Sequence, residues 1–183
     1  MIVHFTEARA DFGARMTNII KRYWKYGSRG GNIEVKLKKL VSDSLTTAYY
    51  EGAKAAGFDP KNFNDEMSQQ VDDLIFEQFN YLTKFIADIK DAKENKDLQA
   101  KTLDRVKWWK QTILSAKFQG DAYANQNKVV TWHLGTTVEH CNTCVELDGQ
   151  SHPIKWFVER NYIPGKPGAA MDCQGFQCDC KWT

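Results

Sequence analysis

Through the first two thirds of the chain, apolar side chains return every three or four positions, the repeat that gathers residues on one face of a helix. Phe5, Ala8, Phe12, Met16, Ile19 and Tyr23 make one such stripe, with Thr6 as a cap and GSRGG at 27–31 as its end. Asn32 then precedes a second stripe of Val35, Leu37, Leu40, Val41, Leu45 and Ala48, in which Gly52, Ala53 and Ala56 are small enough for another helix to approach closely. Gly57 and Pro60 close it. After Asn64 and the acidic pair Asp65 and Glu66, an apolar ridge runs through Val71, Ile75, Phe79, Leu82, Ile86 and Ile89. The polar run KDAKENKD at 90–97 reads as a solvated helix end or short connection, and Leu103, Val106, Trp109, Ile113 and Ala116 rebuild the stripe towards Tyr123. Four substantial helices are predicted.

The pattern changes near residue 128. VVTWHL at 129–134 is β-branched and aromatic and predicts a strand, and Pro153, Pro164, Gly165, Pro167 and Gly168 punctuate loops thereafter. The expected fold is mainly α: a four-helix body over residues 1–127, as a bundle or as extended hairpins, followed by a small irregular α+β zinc-knuckle unit over residues 128–183. No repeat of solenoid length and no low-complexity tract is visible. Trp108 and Trp109 cannot share a helix face, so one is expected at an edge or a partner contact. Trp132, Trp156 and Trp182 are expected to pack around the small terminal unit.

Composition narrows the class. Apolar residues are 42 % of the 183, without a run of the roughly 18 needed to cross a bilayer, so a soluble globular protein without a membrane helix is expected. The start, MIVHFTEARADF, lacks the apolar core of a secretory signal, which predicts a reducing compartment. Net charge is +2, unevenly spread: residues 1–60 carry ten basic against six acidic side chains, and residues 131–183 four against six. An acidic terminal segment argues against nucleic-acid binding there, because phosphate contacts rely on Lys and Arg.

All five cysteines lie beyond residue 140. Their number is odd and structural disulfides are rare in reducing surroundings, so metal ligation leads. Cys141-x-x-Cys144 is a knuckle spacing that lets two thiolates meet one tetrahedral ion, and a second pair some thirty residues on would close the site around a structural Zn2+. Cys178 and Cys180 are the favoured second pair, Cys173 is the substitute, and His140 or His152 could donate a nitrogen. A redox pair is the weaker reading, since the surroundings of the motif are not a βαβ unit. Asp148-Gly149 is a better turn than Asp148 is a general base, and neither it nor Glu146 is assigned a catalytic role. Enzyme activity is not expected, although a metal-dependent hydrolase or toxin domain would use those same two carboxylates.

The run GDAYANQNKVVTWHLGTTVEHCNTCVELDGQ, with a Pro-containing loop and then CQGFQCDCKW, resembles the C-terminal part of phage minor head proteins, the head-morphogenesis or Mu F-like family. The shared features are Ala122 to Asn127, Trp132, Cys141 with Cys144, the turn Leu147-Asp148-Gly149, and Cys178 with Cys180. Cys173 and Asp179 depart from the family's ending, and the resemblance covers about sixty residues, Gly120 to Trp182. It implies a non-catalytic structural protein of a tailed-bacteriophage virion, assembled in the host cytoplasm. Its partners would be portal or capsid proteins, within reach of packaged DNA and without membrane or small-molecule substrate. The alternative is a zinc-ribbon nucleic-acid binder using the basic N-terminal segment, including Lys36, Lys38 and Lys39.

Overall fold

The computed structural model of the chain describes residues 2–94, 99–136, 139–175 and 178–183, and among these the side chains except those of residues 2–10, Pro60 and Gln99. The fold is mainly α. Four long helices, α1 (Ile2–Tyr26), α2 (Ile33–Ala55), α3 (Asp65–Glu94) and α5 (Val106–Ala124), are accompanied by the short α4 (Gln99–Asp104). The polar run at 90–97 is helical through Glu94, and its residues 95–97 lie outside the described residues, as do the side chains of Phe5, Thr6 and Ala8. After β1 (Val129–His133) come α6 (Asn142–Leu147), β2 (Ser151–Pro153), α7 (Ile154–Glu159) and β3 (Lys181–Trp182).

Two compact units divide the chain: Met1–Thr46 with Ser68–Lys110, and Thr47–Met67 with Gln111–Thr183. In the first, Phe12, Met16 and Ile20 of α1, Ile33, Leu37, Leu40, Val41 and Leu45 of α2, and Val71, Leu74, Leu82, Phe85, Ile86 and Ile89 of α3 are buried. Each of the three helices departs from the sequence pattern in one place. Ile20 is buried where Ile19 is half-buried, Leu74 and Gln78 take the ridge where Ile75 and Phe79 are half-buried, and Val35 is 61 % exposed. Val35 lies two residues from both Ile33 and Leu37, so at about 100° per residue it faces away from the side those two bury. Trp109 is buried and tilts against Phe85, with ring centres 6.1 Å apart, whereas Trp108 is 40 % exposed. Asn32 caps α2 by accepting from the Glu34 amide at 2.9 Å.

The second unit does not begin at residue 128. It includes the end of α2, the start of α3 and most of α5, because backbones there meet without side chains between them. A Cβ on Gly52 would overlap the Lys117 carbonyl, and one on Gly120 would overlap the Tyr49 carbonyl. Gly57, at φ +94°, ends α2 with paired bonds from its own amide to Lys54 O and from Phe58 N to Ala53 O, both 3.0 Å. The turned chain then packs Tyr50 on Phe63 and Phe58 on both Phe63 and Tyr123. The Tyr123 hydroxyl donates to Glu66 at 3.0 Å and accepts from Asn64 at 3.1 Å, while Asn64 caps α3 through the Met67 amide.

The predicted strand forms as β1, the centre of a three-stranded antiparallel sheet ordered β2-β1-β3. Trp132 of β1 faces Trp182 of β3, and both are buried with Phe157 between elements of the same core. Phe118 of α5 meets Trp182 edge to face at 5.2 Å, so the end of the long helix is part of this core.

Gly120→Ala should cost about 1–3 kcal/mol, the usual range for forcing an extra methyl group into a packed contact; the urea midpoint of the whole chain measures it. Burial, with the charge of Glu66 and the neighbouring Tyr123 and Tyr50, pushes the Tyr49 hydroxyl well above its ordinary value. The folded state therefore holds that proton more tightly, and its contribution is complete below about pH 10 and lost as pH rises beyond it. Stability measured between pH 9 and about 11 should fall, with a shallower slope in Tyr49→Phe.

Candidate metal centre

The knuckle begins where β1 ends. Cys141 is the N-cap of α6, extended at φ −71° and ψ 157°, and its Sγ accepts from the Cys144 amide at 3.4 Å. An amide turned onto sulfur in this way stabilises a thiolate. At the other end of α6 the Asp148 amide bonds Cys144 O at 3.1 Å, and Gly149 adopts φ +76°. The turn is strapped to β1: the Asp148 carboxylate accepts from Leu134 N at 3.1 Å and Gly149 N donates to Trp132 O at 3.0 Å. Asp148 is thus occupied with the backbone, and Glu146 is exposed.

The last three cysteines return to this knuckle along two braces. In the first, the Asp172 carboxylate accepts from Thr143 N and Thr143 Oγ1 accepts from Asp172 N, both at 3.3 Å, which sets Cys173 beside α6. In the second, the Asp179 carboxylate accepts from both the amide and the hydroxyl of Thr136 at 2.9 Å. Gly135 passes so close that a Cβ would overlap Asp179, and its backbone helps hold the Cys180 thiol low. Asp172, Asp179, Thr136, Thr143 and Gly135 carry no sequence motif of their own; Asp179 stood out only as a departure from the family's ending.

All five thiols are reduced and converge. Cys141, Cys144 and Cys173 form one group and Cys144, Cys178 and Cys180 another, with the sulfurs of each group within 4.8 Å of one another. Cys144, Cys178 and Cys180 are buried, while Cys141 and Cys173 are half-buried. Four thiolates around one ion at about 2.3 Å stand roughly 3.8 Å apart at the corners of a tetrahedron. The cluster is therefore compatible with a metal site, with soft sulfur donors of the type that d10 ions take. Met171 Sδ is 3.9 Å from Cys144 Sγ and closes the apolar side.

The protons show the same crowding. Cys178 and Cys180 are held below the ordinary thiol range, Cys178 by Cys144 first and then Cys173, Cys180 by Cys144, Cys178 and the Gly135 amide. Cys144 is pushed up because it donates towards Cys173, Cys178 and Cys180 and is buried.

Of the histidines, His140 places Nδ1 3.9 Å from Cys180 Sγ, at the edge of the cluster. His152 does not join it: its ring stacks on Trp156 at 3.8 Å and its Nε2 contacts Gln150. Arg160 lies over the Trp156 ring at 4.1 Å.

Removing the Asp179 brace by Asp179→Ala should weaken metal affinity about 10–100-fold, as loss of an outer hydrogen-bond partner commonly does, with Glu146→Ala unchanged; competition against a chromophoric chelator reads both. Comparison with protein-family models, curated proteins and solved structures finds no match to this chain.

Proposed function

We propose that the chain is a structural minor head protein of a tailed bacteriophage, acting in head morphogenesis beside the portal or capsid, with a C-terminal unit organised by one Zn2+. The observation that carries the metal part of this reading is the convergence of five cysteines from two distant stretches, with the Cys144 amide directed at the Cys141 sulfur. All-sulfur sites without an open water position are structural. When bound, zinc supplies a fourfold cross-link between α6 and the last six residues. The chain's own part is to hold the sulfurs close, through the Thr143–Asp172 and Thr136–Asp179 braces. The carboxylates of Asp148, Asp172 and Asp179 are engaged with backbone amides, which suits scaffolding.

The head-protein part rests on the sequence resemblance from Gly120 to Trp182. Apolar side chains such as Phe76, Val129 and Val145 stand exposed and suit a protein that is covered by neighbours in an assembly. The alternative nucleic-acid reading gains no specific support. Lys38 pairs with Glu34 at 2.7 Å, Lys39 with Asp43 at 3.0 Å, and Lys36 bonds the Gly30 carbonyl. Among the described residues no helix is long and apolar enough to cross a membrane.

Elemental analysis of the purified, reduced protein should find one zinc per chain, and a chelator should lower the melting temperature of the C-terminal unit. A metal-free chain with unchanged melting overturns the zinc site. Sedimentation of phage heads with detection of this chain by mass spectrometry tests the assembly role: it should travel with portal-containing particles, and its absence from procapsids and virions alike overturns that role.

A further inference from the structure

One tetrahedral ion takes four thiolates, and this cluster offers five. Resting on the zinc reading above, we propose that Cys144, Cys178 and Cys180 are constant ligands, and that Cys141 and Cys173 exchange at the fourth coordination position. The two groups of close sulfurs overlap at Cys144 alone. Its own group with Cys178 and Cys180 is buried throughout, so an ion seated on those three keeps its ligands away from water. The two remaining neighbours of Cys144 are the half-buried thiols, and both belong to the same second group.

Each outer thiol has its own tether to the knuckle. Cys141 is held by the cap of α6 and the Cys144 amide. Cys173 directly follows Asp172, which is bonded reciprocally to Thr143, the residue just before Cys144. Both are thereby tied to the first turn of the same short helix. In the exchange, the incoming sulfur forms its bond to zinc and gives up its proton as the outgoing thiolate leaves and takes one. One zinc–sulfur bond forms, one breaks, and no oxidant or net proton is consumed. Zinc sites can pass through five coordination, so the incoming thiol can bind before the other departs.

The test uses the full chain loaded with Zn2+, and in parallel with Co2+, whose sulfur-to-metal absorption counts thiolate ligands. Wild type, Cys141→Ser and Cys173→Ser should each hold one ion per chain with equal cobalt absorption. Cys141→Ser/Cys173→Ser should lose intensity and release its ion to a chelator that leaves the single variants loaded, and Cys144→Ser should do the same. If Cys144→Ser or the double variant does not fold, equality of the two single variants still decides the matter. A drop in Cys141→Ser with Cys173→Ser unchanged, or the reverse, assigns a fixed fourth ligand and overturns exchange. Two ions per wild-type chain overturn it in favour of a centre bridged by Cys144. Wild type binding one ion while the single variants fail sinks exchange alone, whereas wild type binding none sinks the zinc reading with it.

Discussion

Sulfur anions crowded into an interior repel one another, and the C-terminal unit is shaped by what offsets that repulsion. Two responses are visible in the covalent chain itself. The Cys144 amide donates to the Cys141 sulfur, and the crowded thiols push one another's proton affinities apart, Cys144 upward and Cys178 and Cys180 downward. A divalent cation bound there would complete the compensation more strongly than either, because it would supply two full positive charges at bonding distance.

The braces explain why the convergence is reproducible rather than a loose gathering. Asp172, Asp148 and Asp179 each spend a carboxylate on a backbone amide, of Thr143, Leu134 and Thr136 respectively. Charge-assisted bonds of this sort are stronger than neutral ones and fix both position and angle. They also account for the negative balance of the segment, which otherwise reads only as a poor surface for nucleic acid. Beneath them, Trp132, Phe157 and Trp182 form an apolar floor that keeps water from the buried sulfurs on one side.

The long helices add a second kind of contribution. Within the unit that carries the cysteines, Gly52 and Gly120 let the end of α2 and the body of α5 touch backbone to backbone, and the aromatic group of Tyr50, Phe58, Phe63 and Tyr123 seals the turn between α2 and α3. Phe118 then joins α5 to Trp182. A cysteine-rich segment of some fifty residues could not bury much apolar surface alone. Here it shares a core with Phe118 and Ala122 of the preceding helix α5, which is the physical ground for its being more than an appendage.

The sequence by itself determined the four long helices, the strand at β1 and the confinement of all five thiols to the last quarter of the chain, because periodicity, capping residues and thiol spacing are local properties. It misplaced Val35 and passed over Leu74 and Gln78, since apolar identity was weighed above the angle a position takes around the helix axis. Tertiary structure alone decided where the compact units part, because Gly52, Gly120 and Phe118 act through residues far away in the chain. It alone brought Cys173 in beside Cys141 and Cys144, and showed that His152 stacks on Trp156 instead of approaching them. The Asp172 and Asp179 braces were equally illegible beforehand: a carboxylate meets an amide 29 or 43 residues away only once the chain has folded back on itself.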